Sequence, residues 1–239
     1  MTAPGMLPPG VAMVSGGGRG LGAAITARLL AEGWSVSLGL RDMAQADAFG
    51  PAERVMAHPF DAADPEAAAP WVAATLARFG RLDAVVNNAG ILRMVDFDRG
   101  EVSELDELWA VNARAPFLLI RAALPPLRAS GRGRVVNVAS TDAKRYRAGT
   151  SIGYGMTKHA LISLTQAVRF AGWEDGVRAT ALCPGAIDTD MIANLPGVTP
   201  KPDRLTPETV ANMVAFLLAL PNQASVPELV ANTRLESPF

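Results

Sequence analysis

The sequence predicts a single α/β domain built on a doubly wound parallel sheet, and three features carry that prediction. Short apolar runs with the texture of doubly buried strands recur from residue 11 to residue 230. Helical patterns separate these runs over the whole length, as parallel β-α-β units require. No linker, repeat or charge block divides the 239 residues, a length that suits one large core.

The elements follow in order. Residues 11–15 form the first apolar run and lead into Gly16-Gly17-Gly18-Arg19-Gly20-Leu21-Gly22. Beyond that turn, Leu21, Ile25 and Leu29 recur four apart and share one face of a helix that ends near Glu32-Gly33. Strands are expected at 35–40 and 54–60, and an Ala-rich helix from Pro65, where proline suits the first helical turn. Next come a strand at 82–86, a helix through 104–112, a separate helix from about Pro116, and a strand at 134–139. A long helix covers 151–170, and a strand at 177–183 is stopped by Pro184-Gly185. A helix near 207–220 and a short run at 228–230, placed to close the sheet, complete the pattern. Residues 187–206, broken by Pro196, Gly197, Pro200 and Pro202, read as a long loop, and such loops in compact domains are usually lids or binding loops.

Composition narrows the function classes. The chain is 49% hydrophobic and 19% charged, which excludes a disordered or fibrous chain. Its 22 Lys and Arg balance 23 Asp and Glu, so no global field draws it to nucleic acid or to an anionic membrane. One cysteine, Cys183, supports neither an internal disulfide nor a metal site and is most simply a small buried residue. The start of the chain does not read as a signal peptide, and no apolar stretch is long enough to span a bilayer, so the expected location is cytoplasmic.

A glycine-rich turn between a buried strand and its helix lets backbone approach a pyrophosphate, while the helix N-terminus offers unpaired N–H groups and partial positive charge. Plain tight connections and methyl-donor folds also use such turns, so the spacing is the informative part. Ser15-Gly16, three residues, then Gly20-Leu21-Gly22 resembles the Thr-Gly-x-x-x-Gly-x-Gly turn of the short-chain dehydrogenase/reductase family, with Ser15 in place of the commoner Thr. Three further motifs follow in the family's order: Asn87-Asn88-Ala89-Gly90, Tyr154-x-x-x-Lys158, and Pro184-Gly185 with Thr189. The resemblance covers most of the chain and implies a Rossmann-type fold. Beyond about Asp190 no motif can be tied to a substrate.

Tyr154 and Lys158, four apart, share one helix face. Lowering a phenol from about 10 to about 7 takes roughly 4 kcal/mol, and one cation about 4 Å away supplies a similar amount at an effective dielectric of about 20. The spacing therefore predicts a phenol whose pKa the lysine depresses, although a Tyr/Lys pair on a helix can also be a plain exposed rim pair. By resemblance, Tyr154 gives a proton to a carbonyl in reduction or takes one from a hydroxyl in oxidation, and Lys158 also holds the nicotinamide ribose. The resemblance makes Ser140, in preference to Thr141, the hydroxyl that polarises the substrate oxygen. It makes Asn112 the support of a water-linked proton relay to the lysine, the alternative being a polar residue that ends or kinks a helix.

The cofactor reading rests on the second strand. An enzyme specific for the unphosphorylated dinucleotide commonly places an acid at that strand's end, where it binds ribose hydroxyls and repels a 2′-phosphate. Leu40 stands there, Arg41 follows, and Arg19 sits in the glycine turn, which favours NADP(H) while leaving NAD(H) possible through Asp42. The resemblance further assigns the cofactor cradle to Ser15, Gly16, Gly18, Arg19, Gly20, Leu21 and Gly22. It assigns the adenine to Asp61, the cleft wall to Asn88, Ala89 and Gly90, and the carboxamide end to Pro184, Gly185, Ile187 and Thr189.

The implied function is an NADP(H)-dependent oxidoreductase that interconverts a carbonyl and an alcohol, acting on a small molecule as a homotetramer or homodimer. The alternatives are an NAD-dependent alcohol dehydrogenase of the same fold and a non-enzymatic dinucleotide-sensing or scaffolding protein. A methyltransferase is disfavoured because a phenol-lysine pair has no evident role in methyl transfer. Leu92, Arg93, Met94 and the loops at 141–150 and 187–206 would assemble the substrate pocket. Within the first of these loops, Lys144-Arg145-Tyr146-Arg147 reads either as a solvated loop or as an entrance favouring an acidic substrate.

Overall fold

The structure, a computed structural model, describes residues 5–50, 53–147, 149–193, 195 and 197–233. Residues 1–4 of the N-terminal stretch, Ala148 of the basic loop and Pro196 of the long loop lie outside the described residues. Among the described residues seven strands are present: β1 Val11–Ser15, β2 Ser35–Leu40, β3 Val55–Pro59, β4 Ala84–Asn87, β5 Arg134–Val138, β6 Arg178–Pro184 and β7 Glu228–Ala231. The described α-helices that accompany them are α1 Gly20–Ala31, α2 Ala68–Phe79, α3 Val102–Trp109, α4 Ala115–Ala129, α5 Ile152–Gly172 and α6 Pro207–Ala219. All strands pair in parallel in the order β3-β2-β1-β4-β5-β6-β7. The order reverses at β1 and β4, and in an open α/β sheet the crevice beyond the strand ends at such a switch point is where ligands bind.

The period-two alternation of the strands sorts the core into two layers. Val14, Val36, Leu38, Val86 and Val136 face α1 and α6 through Ile25, Leu29, Val210 and Val214. Their neighbours Met13, Val85 and Val135 face α2, α4 and α5 through Trp71, Leu119, Leu127 and Val168. Gly39 interrupts β2 because a Cβ there would stand 2.6 Å from the Trp71 ring, whose indole N–H donates to Ser37 Oγ at 2.9 Å. Among the described residues no helix is long and apolar enough to cross a membrane.

Three local features differ from the sequence expectation. The helix α2 starts at Ala68, not Pro65, because the Asp61 and Asp64 carboxylates accept from the Ala63 and Glu66 N–H groups (both 2.9 Å) and hold the preceding chain in turns. A 3-10 turn at Met43–Ala48 follows β2, capped by the Asp42 side chain. The two helices expected around Asn112 and Pro116 form one rod, joined by a π-turn at Ala110–Arg114. In a regular α-helix the Pro116 ring would strike the Asn112 carbonyl, and the wider turn relieves that clash.

At the end of the sheet away from the crevice, the Asp83 carboxylate is almost fully enclosed. It accepts from the Val11 N–H at 2.9 Å, from Arg81 at 2.6 and 2.8 Å, and from Arg132 at 3.0 Å. Burial raises its pKa, but Arg81, the Val11 N–H and Arg132 together outweigh that and hold it below the ordinary carboxylate range. A depressed native pKa contributes stability that is complete above the unfolded value near 4 and lost as pH falls through the native one. Asp83→Asn is therefore expected to cost about 2 kcal/mol at pH 7 in urea unfolding, because Arg81 and Arg132 keep some water contact, and to flatten the loss of stability below about pH 4.

Candidate active site

The glycine turn is shaped by backbone and by close approach. Gly16 and Gly20 have φ of +62° and +51°, in the left-handed region. A Cβ on Gly22 would overlap the Gly16 carbonyl, so α1 packs against the turn only with glycine there. Ser15 anchors the turn from within, its Oγ accepting from the Asn88 and Ala89 N–H groups (both 3.0 Å) and donating to the Val86 carbonyl at 3.4 Å. That uses the full capacity of a hydroxyl, so Ser15 positions the cradle and does not reach into it. The Asn88 amide donates to the Ser15 and Gly16 carbonyls at 3.0 and 3.2 Å and braces the same turn. The Leu21 side chain points into the core, leaving its backbone at the turn.

At the end of β2, the Leu40 side chain is 2% exposed and belongs to the core. Asp42 caps its own 3-10 turn by accepting from the Ala44 N–H at 3.2 Å. Arg19 and Arg41 are both exposed, and among the described residues neither side chain has a hydrogen bond or ion pair. Asp61, also exposed, shapes the turn after β3.

The reacting groups gather at the ends of β4, β5 and β6. Ser151 caps α5 by accepting from the Tyr154 N–H at 3.1 Å, and also exchanges hydrogen bonds with Val95. Tyr154 is half-buried, and the Ser140 hydroxyl stands near its phenol. Ser140 Oγ in turn accepts from the Asp142 N–H at 3.0 Å. Lys158 is 4% exposed, and its Nζ donates to the Val138 carbonyl at 2.8 Å and lies 5.5 Å from the centre of the Tyr154 ring. Asn112, fully buried in the π-turn, accepts from the Ile91 N–H and donates to the Ile91 carbonyl (both 2.9 Å), and donates to Thr157 Oγ1 at 3.2 Å. A Cβ on Gly90 would touch both Asn112 Oδ1 (3.3 Å) and Lys158 Nζ (3.6 Å), so these two groups flank Gly90.

The electrostatics overturn one sequence expectation. The Tyr154 phenol is pushed above its ordinary value, first by burial and then by the Asp142 carboxylate, with only the Ser140 hydroxyl opposing. Burial pushes the Lys158 ammonium down to about 8, with Cys183 opposing. The ammonium lies against the ring and bonds to a backbone carbonyl, so it does not offset the solvation that the phenol loses.

The far wall comes from β6 and the loop beyond it. Gly185, following Pro184, donates to the Ala231 carbonyl at 2.8 Å. The loop's two ends are pinned together, Asp188 N–H to Leu205 carbonyl and Leu205 N–H to Ala186 carbonyl (both 2.9 Å), and Ile187 bridges Leu205. Thr189 projects from it across the crevice, its Cγ2 standing 3.6 Å from where a Gly20 Cβ would be.

The cations of the basic loop are held within the fold. Lys144 pairs with Glu228 at 2.6 Å, Arg147 pairs with Asp142 at 3.0 Å, and Arg145 donates to the Thr141 carbonyl at 3.4 Å. These contacts favour a structural loop over an entrance for acidic substrates. On the other side, Arg93 is held by Glu107 through two hydrogen bonds.

Sequence reasoning missed the groups that hold this arrangement. Thr157 links Asn112 to the Tyr154 carbonyl, to which it donates at 2.8 Å. A buried polar chain runs from Asn87 Nδ2 to Asn137 Oδ1 (2.7 Å), from Asn137 Nδ2 to Thr165 Oγ1 (2.8 Å), and on to the Leu161 carbonyl, fixing α5 on the sheet. Asn137 carried a readable signal, being an amide inside an apolar strand.

Residues 10–197 match the family model described as short chain dehydrogenase. The chain belongs to the short-chain dehydrogenase family and has its Rossmann-type fold. Agropine synthesis reductase of Rhizobium rhizogenes is 38% identical over 220 residues, covering 91% of this chain and 51% of that protein. The chain thus spans about half the length of that relative. Levodione reductase of Leifsonia aquatica is 36% identical, covering 77% of this chain and 72% of its own. Among solved structures, an alcohol dehydrogenase from Thermococcus sibiricus complexed with 5-hydroxy-NADP superposes with a TM-score of 0.85 at 30% identity, covering 95% of this chain and 99% of that one. A 3-ketoacyl-(acyl-carrier-protein) reductase from Brucella melitensis complexed with NADH gives 0.84 at 27% identity, covering 93% and 95%.

Proposed function

We propose that the chain is an NADP(H)-dependent reductase that interconverts a carbonyl and an alcohol. The observation that carries this reading is the Tyr154 phenol beside the Ser140 hydroxyl, with the buried Lys158 ammonium against its ring, at the crevice onto which the glycine turn opens. The turn fits a dinucleotide: two left-handed glycines and the start of α1 present backbone N–H groups to a pyrophosphate. A bound nicotinamide supplies the hydride in reduction and accepts it in oxidation. Ser140 Oγ–H donates to the substrate oxygen and orients it, while the Tyr154 phenol transfers its proton to that oxygen as charge develops there. Lys158 holds positive charge behind the phenol, and Asn112 fixes the Ile91 backbone beside the lysine. Burial and Asp142 hold the phenol above its ordinary value, so it is protonated at neutral pH and serves as the acid when a carbonyl is reduced.

The NADP(H) preference is supported by the end of β2, where Leu40 offers no carboxylate, Asp42 is occupied as a cap, and the guanidinium groups of Arg19 and Arg41 are available to a 2′-phosphate. The matched cations of the basic loop point to a small neutral carbonyl. The reading extends to a cytoplasmic homodimer or homotetramer. Phe117, Met156 and Phe170, 50%, 46% and 88% exposed on α4 and α5, supply an apolar face for a second copy. Titration with NADPH and NADH tests the cofactor assignment. NADPH is expected to bind at least about tenfold tighter, and Arg41→Ala to remove most of that margin. Tighter binding of NADH would overturn the preference and favour the NAD-dependent alcohol dehydrogenase.

A further inference from the structure

Gly16, Gly20 and Gly22 of the turn are explained by backbone geometry, but Gly18 is not. Its φ lies outside the left-handed region, so any L residue could adopt its conformation. What excludes a side chain there is Gln45. A Cβ on Gly18 would stand 2.6 Å from Gln45 Cβ, inside contact distance of the carboxamide oxygen, and 3.0 Å from a Leu40 methyl. Gln45 belongs to the 3-10 turn that Asp42 caps, and its own N–H donates to the Asp42 carbonyl at 3.3 Å. The side chain is half-buried over the glycine turn, yet among the described residues its carboxamide makes no hydrogen bond. An amide laid on a phosphate-binding turn, with its hydrogen-bonding capacity unspent, has the chemistry of a ligand contact.

Its location indicates which part of the ligand it meets. The end of β2 is where a dinucleotide's adenosine ribose lies in this fold. Gln45 and the Leu40 methyl at that strand end both lie against Gly18, and Arg19 and Arg41 adjoin Gly18 and Leu40 in the chain. We infer that Gln45 is a specificity-determining residue whose carboxamide N–H donates to the 2′-phosphate of the dinucleotide, and that Gly18 is glycine to leave room for it. This rests on the NADP(H) reading above. The amide contributes a directed donor beside two cations. Unlike a carboxylate at the same place, it does not repel the phosphate.

Calorimetric titration of the free chain with NADPH and with NADH, on wild type, Gln45→Glu, Gln45→Ala and Gly18→Ala, tests the inference without any turnover. Gln45→Glu is expected to weaken NADPH by about 30-fold or more and to leave NADH within about twofold, because only the phosphorylated ribose meets the new charge. Gln45→Ala should weaken NADPH by about tenfold, the loss of one charge-assisted hydrogen bond. Gly18→Ala, which displaces the glutamine, should act in the same direction, and the double variant should be no worse than Gln45→Ala alone. Unfolding temperatures of the free variants identify any change that comes from misfolding, and the two Gln45 variants decide the matter if Gly18→Ala does not fold. If both Gln45 variants shift NADPH and NADH alike, or shift neither, while Arg41→Ala selectively weakens NADPH, Gln45 is not a reader of the phosphate and the NADP(H) reading stands. If wild type binds NADH more tightly, the NADP(H) reading falls and this inference falls with it.

Discussion

Tyr154→Phe is expected to lower kcat for carbonyl reduction by about 10³-fold while leaving the Kd for NADPH and the unfolding temperature nearly unchanged. The phenyl ring keeps its packing on α5 and its place against Lys158, so the substitution removes only the hydroxyl near Ser140. The same environment sets the pH dependence. A phenol held above its ordinary value by burial and by Asp142 stays protonated through the neutral range, so reduction should be flat between about pH 6 and 7 and fall as the Lys158 ammonium is lost around pH 8. Oxidation needs the phenolate, and its rate should climb as pH rises across that range. Steady-state profiles in both directions check this. A reduction rate that rises with pH, or a Phe variant with near wild-type turnover, would remove Tyr154 from the proposed role.

Lys158→Met is expected to separate activity from stability. The thioether chain fills a similar volume but removes the ammonium that faces the Tyr154 ring and flanks Gly90 with Asn112. We expect kcat to fall by about 10²-fold and the Kd for NADPH to rise by about tenfold, unlike the outcome at Tyr154. Stability should move the other way. Burial lowers the lysine pKa to about 8, so at pH 7 the folded chain carries a charge that it stabilises less well than water does. A group whose folded pKa is depressed below its unfolded value near 10 opposes folding at lower pH and ceases to do so as pH rises through both values. The variant should therefore be more stable than wild type at pH 7, by about 1–3 kcal/mol in urea unfolding, with the gain shrinking toward pH 10. Loss of stability would show that the bond to the Val138 carbonyl outweighs the cost of the buried charge.

The fold was legible because its determinants are local and periodic. Apolar runs such as Val11–Ser15 and Arg134–Val138 are buried on both faces, as continuous apolar character demands, and α1 follows the spacing of Leu21, Ile25 and Leu29. Element ends were less legible. The start of α2 depends on two aspartate turns, and the join at Asn112 depends on a proline ring that a wider turn can accommodate. The motif residues Ser140, Tyr154 and Lys158 do converge, since helix and strand ends fixed in sequence are brought together by the sheet order.

What sequence could not supply was the balance of forces at that point. The spacing of Tyr154 and Lys158 gives proximity, and a Coulomb argument from proximity alone lowers the phenol. Desolvation and the carboxylate of Asp142 become visible only when the loop after β5 is folded over the site, and they reverse the sign. The charges of Lys144 and Arg147 likewise read as an entrance until Glu228, from the far end of the chain, and Asp142 are seen to take them. Gln45 was invisible for the same reason, because its contact with Gly18 crosses from one strand's turn to another.

Under the proposed function, this chain moves a hydride between a bound dinucleotide and a carbonyl carbon while Tyr154 transfers a proton. The most direct measurement is single-turnover reduction of a panel of small neutral ketones and aldehydes with NADPH deuterated at the transferring C4 position, followed by mass spectrometry of the product. Deuterium is expected on the carbinol carbon of at least one product with wild type, with about 10³-fold slower transfer in Tyr154→Phe. NADPH bound tightly but no deuterium transferred to any member of the panel, or transfer undiminished in the Phe variant, would contradict it.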